Sequence, residues 1–254
     1  MNSNRVAFAI ILVIKSYTQL CAQVNNNSDS LPGHMGVTKP FWKQMILPAG
    51  LIVYGAAAIT SHPLIELNDE YKEEIYLEHP HPKIHADNYL QFAPAAAVFG
   101  LNFIGVKGKS NLFDASMIYL LANVFLNSSV TIVKRSSHVL RPDGSDYLSF
   151  PSGHTAEAFA SAEFLREEYG KVSTWYGFAG YAMAFTTGFL RTYNNKHWVN
   201  DVIAGAGFGI ASTRISYWLY PKIKSLFYKN KPARSVVLPA YSNGAFALHF
   251  IYKL

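Results

Sequence analysis

The chain has 254 residues, of which 50% are hydrophobic and only 15% are charged, and its formal net charge is +6. Ordinary soluble domains carry roughly 25% charged residues, so this composition favours one apolar membrane domain over a soluble one. The single cysteine, Cys21, excludes an internal disulfide and a cysteine-bound zinc site, and basic residues are not interleaved along one exposed face, so no nucleic-acid partner is expected.

The N-terminus has the features of an export signal. Arg5 precedes an apolar stretch that ends at Ile14, and small or polar residues follow as far as Ala22. This pattern resembles a secretory signal that is cleaved after Ala22. Residues 1–22 are therefore predicted to be a signal peptide, and residues 23–40 a loose linker.

Six helices are predicted within residues 41–231. Five of them are apolar segments close to the roughly 20 residues that cross a bilayer. The remaining helix is shorter and rich in Glu and Arg, which suits a helix enclosed by its neighbours. In chain order the segments are Gln44–Ile65, Asn88–Val106, Ala115–Val133, His154–Tyr169, Val172–Leu190 and Trp198–Tyr220. The predicted fold class is therefore all-α, a six-helix membrane bundle.

Two further segments have a distinct composition. Residues 78–85 are rich in His and Pro, but the prolines and the lack of a further ligand cluster favour a surface loop over a metal site. Residues 232–254 contain two apolar runs, 235–239 and 245–252, separated by an Asn-Gly pair, which predicts a short β-hairpin. An isolated hairpin is marginally stable, so we expect it to rest on the helices or on a membrane surface.

Three short motifs concentrate cations, imidazoles and one carboxylate. They are Lys134-x6-Arg141-Pro142, Pro151-Ser152-Gly153-His154 and Arg191-x5-His197-x3-Asp201. Arg has a planar fork of donors that matches tetrahedral oxyanions, and Lys adds a compact charge, so these cations could neutralise a phosphoryl group in transfer. The motifs predict a site that binds a phosphate and breaks a bond to it.

The histidines supply the reactive groups of this predicted site. Asp201 follows His197 by four residues, which puts both side chains on one helical face if a helix begins near Lys196. A carboxylate in that position would orient the ring as a nucleophile or base. Ser152 is a candidate N-cap whose helix would present N–H groups to an anion, and His154 could protonate a departing oxygen.

Each of these residues also has a simpler interpretation when it is taken alone. A single Lys or Arg is commonly a solvated residue or one whose charge reaches the membrane interface, and a lone His at a helix start is commonly a cap. A His–Asp pair is often only a structural hydrogen bond. The order of all three motifs, with short apolar helices between them, favours a common site.

The motifs resemble the signature of the type-2 phosphatidic-acid phosphatase superfamily, which is Lys-x6-Arg-Pro, Pro-Ser-Gly-His and Ser-Arg-x5-His-x3-Asp. That superfamily also includes bacterial acid phosphatases and vanadium-dependent haloperoxidases. One position departs from the pattern, because Leu190 stands where the family usually has Ser. The missing hydroxyl removes one phosphate or backbone contact without changing the charged groups.

The resemblance implies a role for each matching residue. His197 would attack phosphorus and form a phosphohistidine, Asp201 would orient it, and His154 would protonate the leaving group and then activate water. The implied phosphate-binding residues are Lys134, Arg141, Ser152, Gly153 and Arg191. Neither a metal nor another cofactor is implied.

Loop charges suggest an orientation in the membrane. Residues 61–88 hold seven of the sixteen acidic residues, whereas Lys107, Lys109 and five basic residues between 222 and 234 follow different helices. By the positive-inside rule the basic ends are cytoplasmic, so the end with the motifs faces the periplasm. A cleaved signal followed by six simple crossings would place it in the cytoplasm instead, and the sequence is compatible with both orientations.

The sequence therefore predicts a membrane-bound, metal-independent phosphatase of a bacterial-type cell envelope. Its expected partners are the membrane and a phosphorylated lipid: phosphatidate, phosphatidylglycerophosphate, an isoprenyl diphosphate or a lipid A phosphate. A soluble or peripheral periplasmic acid phosphatase is the nearest competing hypothesis. A vanadium-dependent haloperoxidase, or a membrane protein that binds its ligand without turnover, fits the motifs less well.

Overall fold

A computed structural model describes residues 40–227 and two strands at 235–242 and 245–252. The predicted signal peptide, residues 1–22, and the predicted linker up to residue 39 lie outside the described residues. The chain divides into two compact units after Trp218, and each unit is treated by itself.

Two helices replace the first predicted one. Helix α1 (Phe41–Ala57) and helix α2 (His62–Lys72) are bent by 87° relative to each other, so the prediction of one continuous helix is wrong here. Pro63 lies in the first turn of α2, where a missing N–H is tolerated but a helix cannot run through. A short π-helical segment, Glu73–Leu77, continues α2.

The second predicted helix is also divided. Helix α3 (Asp87–Leu90) is a single turn, and helix α4 (Ala93–Phe103) begins with Pro94 in its first turn. Eleven residues of helix extend about 16 Å, which is short of the roughly 30 Å hydrocarbon core of a bilayer. Gly105 follows α4 at φ +88, a conformation that glycine adopts without strain.

Helix α5 (Leu112–Ser137) is the third predicted helix, extended by several residues at each end. Its first turn is capped by Asn111, whose side chain accepts from the Asp114 N–H, and it ends where His138 adopts a left-handed conformation. Among the described residues, α5 is the one helix that is alone long and apolar enough to cross a bilayer. The bent pair formed by α1 and the segment 62–77 passes the same test as a unit.

Helix α6 (Gly153–Tyr169) is enclosed by the neighbouring helices of the first unit. The prediction that Ser152 caps it is confirmed, because the Ser152 side chain accepts from the Thr155 N–H. Ala156, Ala158, Ala160 and Ala162 are all fully buried, so small side chains pack α6 on more than one face. This burial agrees with the expectation of an enclosed helix.

Helices α7 (Thr174–Tyr193) and α8 (Val199–Phe227) complete the helical part. Gly209 of α8 lies so close to α6 that a Cβ atom there would be 2.2 Å from the carbonyl oxygen of Ala156. Gly205 makes a similar approach to Ser152, at 2.6 Å. These two glycines let the start of α8 lie directly beside the start of α6.

The second unit contains the only two strands in the described part of the chain. Strand β1 (Ser235–Ser242) pairs antiparallel with strand β2 (Ala245–Tyr252), in a register that sets Ser242 opposite Ala245. Residues 243–244, which form the predicted Asn-Gly turn, lie outside the described residues.

Candidate active site

The predicted site residues lie at helix ends and in two loops on one side of the first unit. Lys134 is in the last turn of α5, Arg191 is in the last turn of α7, and Asp201 is in the first turn of α8. The start of α6 supplies Ser152, Gly153 and His154, and the loops before α6 and α8 supply Arg141 and His197.

Arg141 contacts His197 directly. Its Nη1 atom lies 3.1 Å from Nε2 of His197 and also donates to the carbonyl oxygen of Lys196 at 3.1 Å. On its opposite side, Nε donates to Oδ1 of Asp146 at 2.8 Å. The guanidinium group is therefore held by Asp146 at Nε and by the Lys196 carbonyl oxygen at Nη1, and Nη1 faces the imidazole of His197.

His197 and Asp201 are adjacent, but not for the reason that the sequence suggested. Helix α8 begins at Val199, so His197 precedes it and the predicted helix start near Lys196 is wrong. Asp201 folds back toward the helix start, where its Oδ2 atom accepts from the Trp198 N–H at 3.0 Å and lies 3.4 Å from Nδ1 of His197.

Ser149 is the third member of this cluster. Its hydroxyl donates to Oδ2 of Asp201 at 2.5 Å and lies 3.5 Å from Nδ1 of His197. All three side chains are buried, and the Asp201 carbonyl oxygen also accepts from the Ser152 N–H at 3.0 Å. The loop before α6 and the start of α8 are thus joined by hydrogen bonds at the imidazole.

These contacts assign the tautomer of His197. A guanidinium group can only donate, so Nε2 must be the unprotonated nitrogen where it faces Arg141. The proton of the neutral ring is then on Nδ1, toward Asp201 and Ser149. Nε2 carries the unprotonated lone pair, which faces Arg141 within the group of cations.

His197 is only 3% exposed, and its electrostatic surroundings favour the neutral ring. Burial lowers the pKa of His197 well below its usual value of 6.5, and the positive charges of Lys134, Arg141 and Arg191 lower it further. The imidazole is therefore unprotonated at neutral pH, which is the state that a nucleophile requires.

The side chain of Lys134 lies beside the start of α6. Its Nζ atom donates to the carbonyl oxygens of Leu148 at 2.6 Å and Ser149 at 3.2 Å. A Cβ atom on Gly153 would be 3.9 Å from the Lys134 side chain, so the glycine leaves open space beside the ammonium group. The hydroxyl of Ser152 is buried and lies 2.9 Å from the Thr155 hydroxyl.

Helix α3 supplies contacts to the two remaining site residues. Nη1 of Arg191 donates to Oδ2 of Asp87 at 2.6 Å, and Asp87 is only 1% exposed. The neighbouring residue, Asn88, places Oδ1 3.0 Å from Nε2 of His154. A single turn of helix therefore holds both the guanidinium of the third motif and the imidazole of the second.

Three buried polar atoms at this site have no hydrogen-bond partner among the described residues. They are Oδ1 of Asp87, Nε of Arg191 and Oδ1 of Asp201. Burying a polar group without a partner is unfavourable. The Nε atom of Arg191 can donate to a bound anion, which would offset this cost.

Sequence reasoning missed Ser149, Asp87 and Asn88 as site residues. Ser149 precedes the second motif by two residues and has no motif of its own. Asp87 did carry a signal, since it is an acid directly before the uncharged run of the second predicted helix. Its pairing with Arg191 depends on the packing of α3 against α7 and could not be read from spacing.

Leu190, the departure from the family pattern, is 6% exposed and belongs to the buried interior.

Among residues 40–227, no group of three or more His, Cys, Asp or Glu side chains could hold a metal ion. In the His- and Pro-rich loop, Nε2 of His81 lies 2.9 Å from the carbonyl oxygen of Tyr193, and the two rings are stacked at 3.6 Å.

Comparison with known proteins identifies a family model and one curated relative. Residues 115–225 match the model described as the PAP2 superfamily. A protein of Porphyromonas gingivalis named Lipid A 1-phosphatase is 41% identical over 140 residues, which is 55% of this chain and 31% of that protein. The chain thus spans less than a third of the length of the relative that it matches.

Two solved structures are also similar. A transmembrane PAP2 type phosphatidylglycerolphosphate phosphatase from Bacillus subtilis is 20% identical, with a TM-score of 0.48, over 70% of this chain and 97% of that chain. LpxE from Aquifex aeolicus is 24% identical, with a TM-score of 0.37, over 65% of this chain and 93% of that chain.

Proposed function

Because residues 115–225 match the PAP2 superfamily model, we propose that the chain is a membrane-bound phosphatase that hydrolyses a phosphomonoester or diphosphate on a lipid. The reaction proceeds through a phosphohistidine on His197. One observation carries this proposal: Nε2 of the buried His197 imidazole lies 3.1 Å from Nη1 of Arg141, with Asp201 behind Nδ1.

The phosphate is bound by cations from two helix ends and from the loop before α6. Arg141 and Arg191 hold its oxygens through their guanidinium groups, and Lys134 leaves its carbonyl partners to add a third positive charge. The first N–H groups of α6, at Gly153 and His154, have no partner within the helix and also point at the anion. Ser152 contributes by capping this helix start.

The first chemical step is an in-line attack of Nε2 of His197 on phosphorus. The nitrogen–phosphorus bond forms as the bond to the leaving oxygen breaks, and His154 gives that oxygen a proton. Asp201 and Ser149 stabilise the positive charge that develops on the imidazole. The cations stabilise the charge spread over the phosphoryl oxygens.

The second step releases phosphate. Neutral His154 removes a proton from water, the water oxygen attacks phosphorus, and the bond to Nε2 breaks. Inorganic phosphate leaves, and His154 again carries the proton that it supplies to the next leaving group. The acid and the nucleophile are different histidines. Burial and the charge of Arg191 lower the pKa of His154 to about 4, so the negative charge of the bound phosphate has to raise it before His154 can carry the proton.

A lipid substrate is supported by the apolar character of the chain. Helix α5 is long enough to cross a bilayer, and the site lies at helix ends, where phospholipid headgroups lie in a membrane. Of the four lipid phosphates that the sequence left open, a lipid A phosphate has the most support, because the 41% identical relative is named Lipid A 1-phosphatase.

The site is proposed to face the periplasm. The loop that holds Asp87 is acidic, whereas the loop before α5 carries Lys107 and Lys109, and the positive-inside rule assigns the basic loop to the cytoplasm. Phe41, the first residue of α1, stacks on Trp218 at 4.8 Å. Trp218 is far along α8 from Asp201, so α1 begins at the end of the first unit away from Asp201. Residue 40 is then cytoplasmic, which requires that the N-terminal apolar stretch is not cleaved as a simple signal.

The proposed function is tested by measuring phosphate release from purified lipids. The panel contains phosphatidate, phosphatidylglycerophosphate, an isoprenyl diphosphate and lipid A, and it compares the intact chain with His197→Ala and His62→Ala. His197→Ala should lose at least about 100-fold in rate. His62 is exposed and its side chain pairs with Glu66, so its variant should retain full activity. Hydrolysis that survives His197→Ala would contradict the proposal.

A further inference from the structure

A cavity of about 990 Å³ lies at the end of the first unit away from the catalytic residues. Its walls come from the start of α1, the end of α6, the first half of α7 and the segment of α8 from Arg214 to Trp218. Arg214 follows Asp201 by 13 residues of helix, which is about 20 Å along the axis. The cavity is therefore separate from the phosphate site.

The lining of this cavity is strongly basic. It contains one carboxylate, that of Glu167, and five cationic side chains. The cations are Lys43, Lys109, Arg166, Lys171 and Arg214. Positive charge still predominates when the neighbouring carboxylates of Glu163 and Glu168 are counted, so the cavity favours an anion.

Part of this charge is held in a fixed cluster. Glu163 is fully buried and accepts from Arg166 at 2.6 and 2.8 Å, from Arg214 at 2.5 Å and from the Tyr181 hydroxyl at 2.5 Å. A Cβ atom at Gly177 would be 3.1 Å from the Arg166 side chain, so the glycine lets Arg166 lie against α7. The cluster holds the two guanidinium groups in the wall.

Of the other three cations, Lys109 donates to Glu167 at 2.8 Å, and two lie at the rim. Lys43 and Lys171 are both exposed. Lys43 lies over the ring of Trp42 at 5.3 Å, and Lys171 makes no hydrogen bond or ion pair with any residue from 40 to 227. These two ammonium groups can turn toward a ligand without breaking the buried cluster.

Aromatic rings surround the mouth of the cavity. Phe41 stacks on Trp218 at 4.8 Å, and Trp175 meets Phe178 edge-on at 5.6 Å. Trp175 is 71% exposed and Phe178 is 68% exposed, which is unfavourable in water. Exposed Trp rings beside basic residues are typical of the membrane–water interface, where apolar and charged groups of a ligand meet.

We propose that this cavity binds the phosphate headgroup of an anionic phospholipid, with the acyl chains along Phe178 and Trp175. Basic pockets between membrane helices on the cytoplasmic side bind acidic headgroups, and the loop charges assign this end to the cytoplasm. The bound lipid is a ligand and not a substrate. This inference depends on the proposed membrane location, but it does not depend on the phosphatase reaction.

The test uses the full chain and its own tryptophans as the reporter. Three of the four, Trp42, Trp175 and Trp218, lie at the cavity end, so brominated lipid bound there quenches their fluorescence. Brominated phosphatidylglycerol is compared with brominated phosphatidylcholine and with inorganic phosphate as a competitor. Lys43→Gln/Lys171→Gln removes the rim charges, and Lys83→Gln/Lys107→Gln is the control with the same change in net charge.

We expect half-maximal quenching at about tenfold lower concentrations of phosphatidylglycerol than of phosphatidylcholine, and millimolar phosphate should not reverse it. Lys43→Gln/Lys171→Gln should raise the concentration required about tenfold, whereas the control should change it less than twofold. Equal quenching by both lipids, an equal loss in the control, or displacement by phosphate would overturn the proposal. Hydrolysis of a soluble phosphomonoester is measured in parallel and should be unchanged in both double variants. A loss of lipid binding with unchanged hydrolysis can then be distinguished from a failure of the proposed phosphatase function.

Discussion

At the scale of single residues, the orientation of His197 depends on groups that hold Asp201. Oδ2 of Asp201 accepts from Ser149 and from the Trp198 N–H, and the same oxygen faces Nδ1 of His197. The carboxylate therefore cannot turn away from the imidazole without losing two hydrogen bonds. Ser149 acts through Asp201 and is a positioning residue.

Replacing Ser149 by Ala should lower kcat/KM about 10- to 100-fold, because a hydrogen bond to a buried charged group contributes about 1.5–3 kcal/mol. The KM should change little, since Ser149 does not reach the phosphate. The measurement is steady-state hydrolysis of a lipid phosphate. Ser145→Ala, an exposed serine of the same loop, is the control and should behave like the intact chain. A wild-type rate for Ser149→Ala would exclude the positioning role.

The acid limit of activity should reflect the lowered pKa of His197. Burial and the charges of Lys134, Arg141 and Arg191 favour the neutral ring, so the nucleophile stays unprotonated at pH values below 6.5. The acid limb of kcat/KM should therefore lie below 6.5, with activity lost as pH falls through the folded-state pKa. Lys134→Gln removes one positive charge and should move the limb to higher pH. A limb at or above 6.5 in the intact chain would contradict this electrostatic account.

The sequence was informative for residues with fixed spacing and uninformative for those joined by packing. The motifs marked the cations and histidines, and the structure brings these residues together. They could not identify Asp87 or Asn88, because α3 reaches Arg191 and His154 only after α3 packs beside α6 and α7. The His197–Asp201 spacing suggested proximity correctly, but the contact forms across a helix start and not along a helix face.

At the scale of elements, hydrophobicity predicted where helices exist but not where they break. The apolar runs from Gln44 and from Asn88 continue through the breaks, so their hydrophobicity gave no warning. Pro63 and Pro94 each sit in the first turn of a new helix. Proline is tolerated in the first turn of a helix but not in its interior. The prolines shortly after Ser61 and Phe92 were therefore the signal that a new helix begins there and that each run should be divided.

The approach of α8 to α6 should fail if Gly209 gains a side chain. A Cβ atom there would lie 2.2 Å from the Ala156 carbonyl oxygen and 2.7 Å from the Ala160 nitrogen, so Gly209→Ala should force the helices apart. We expect a loss of stability of about 1–3 kcal/mol, seen as a lower melting temperature in detergent. Gly50→Ala is the matched control, because nothing lies within 4 Å of its Cβ position. It should be neutral or slightly stabilising, and equal effects of the two would contradict the packing account.

At the scale of the whole molecule, the first unit has two chemically different ends. The proposed catalytic end combines imidazoles, cations and buried carboxylates, and the opposite end combines a buried ion-pair cluster with exposed aromatic rings. Helices α5 to α8 connect the ends and alternate in direction, so each motif is brought to the same side. The position of the motifs at helix ends could be predicted from sequence, whereas the cavity at the opposite end could not.

The two ends should be on opposite sides of the membrane. In a Cys21→Ser background, a cysteine placed at Lys83 should react in intact cells with a maleimide that does not cross membranes. A cysteine placed at Lys107 should react only after the cells are opened. The reverse pattern would contradict the proposed periplasmic site, and labelling of both in intact cells would contradict a membrane-spanning arrangement.

The central claim is that Nε2 of His197 becomes covalently bound to phosphorus. The most direct measurement is to quench the reaction of the chain with a lipid carrying labelled phosphate and to determine where the label is attached. The label should be stable in alkali, released by acid and located on His197, and His197→Ala should acquire none. Label on another residue, or the same amount of label in His197→Ala, would show that the imidazole is not the nucleophile.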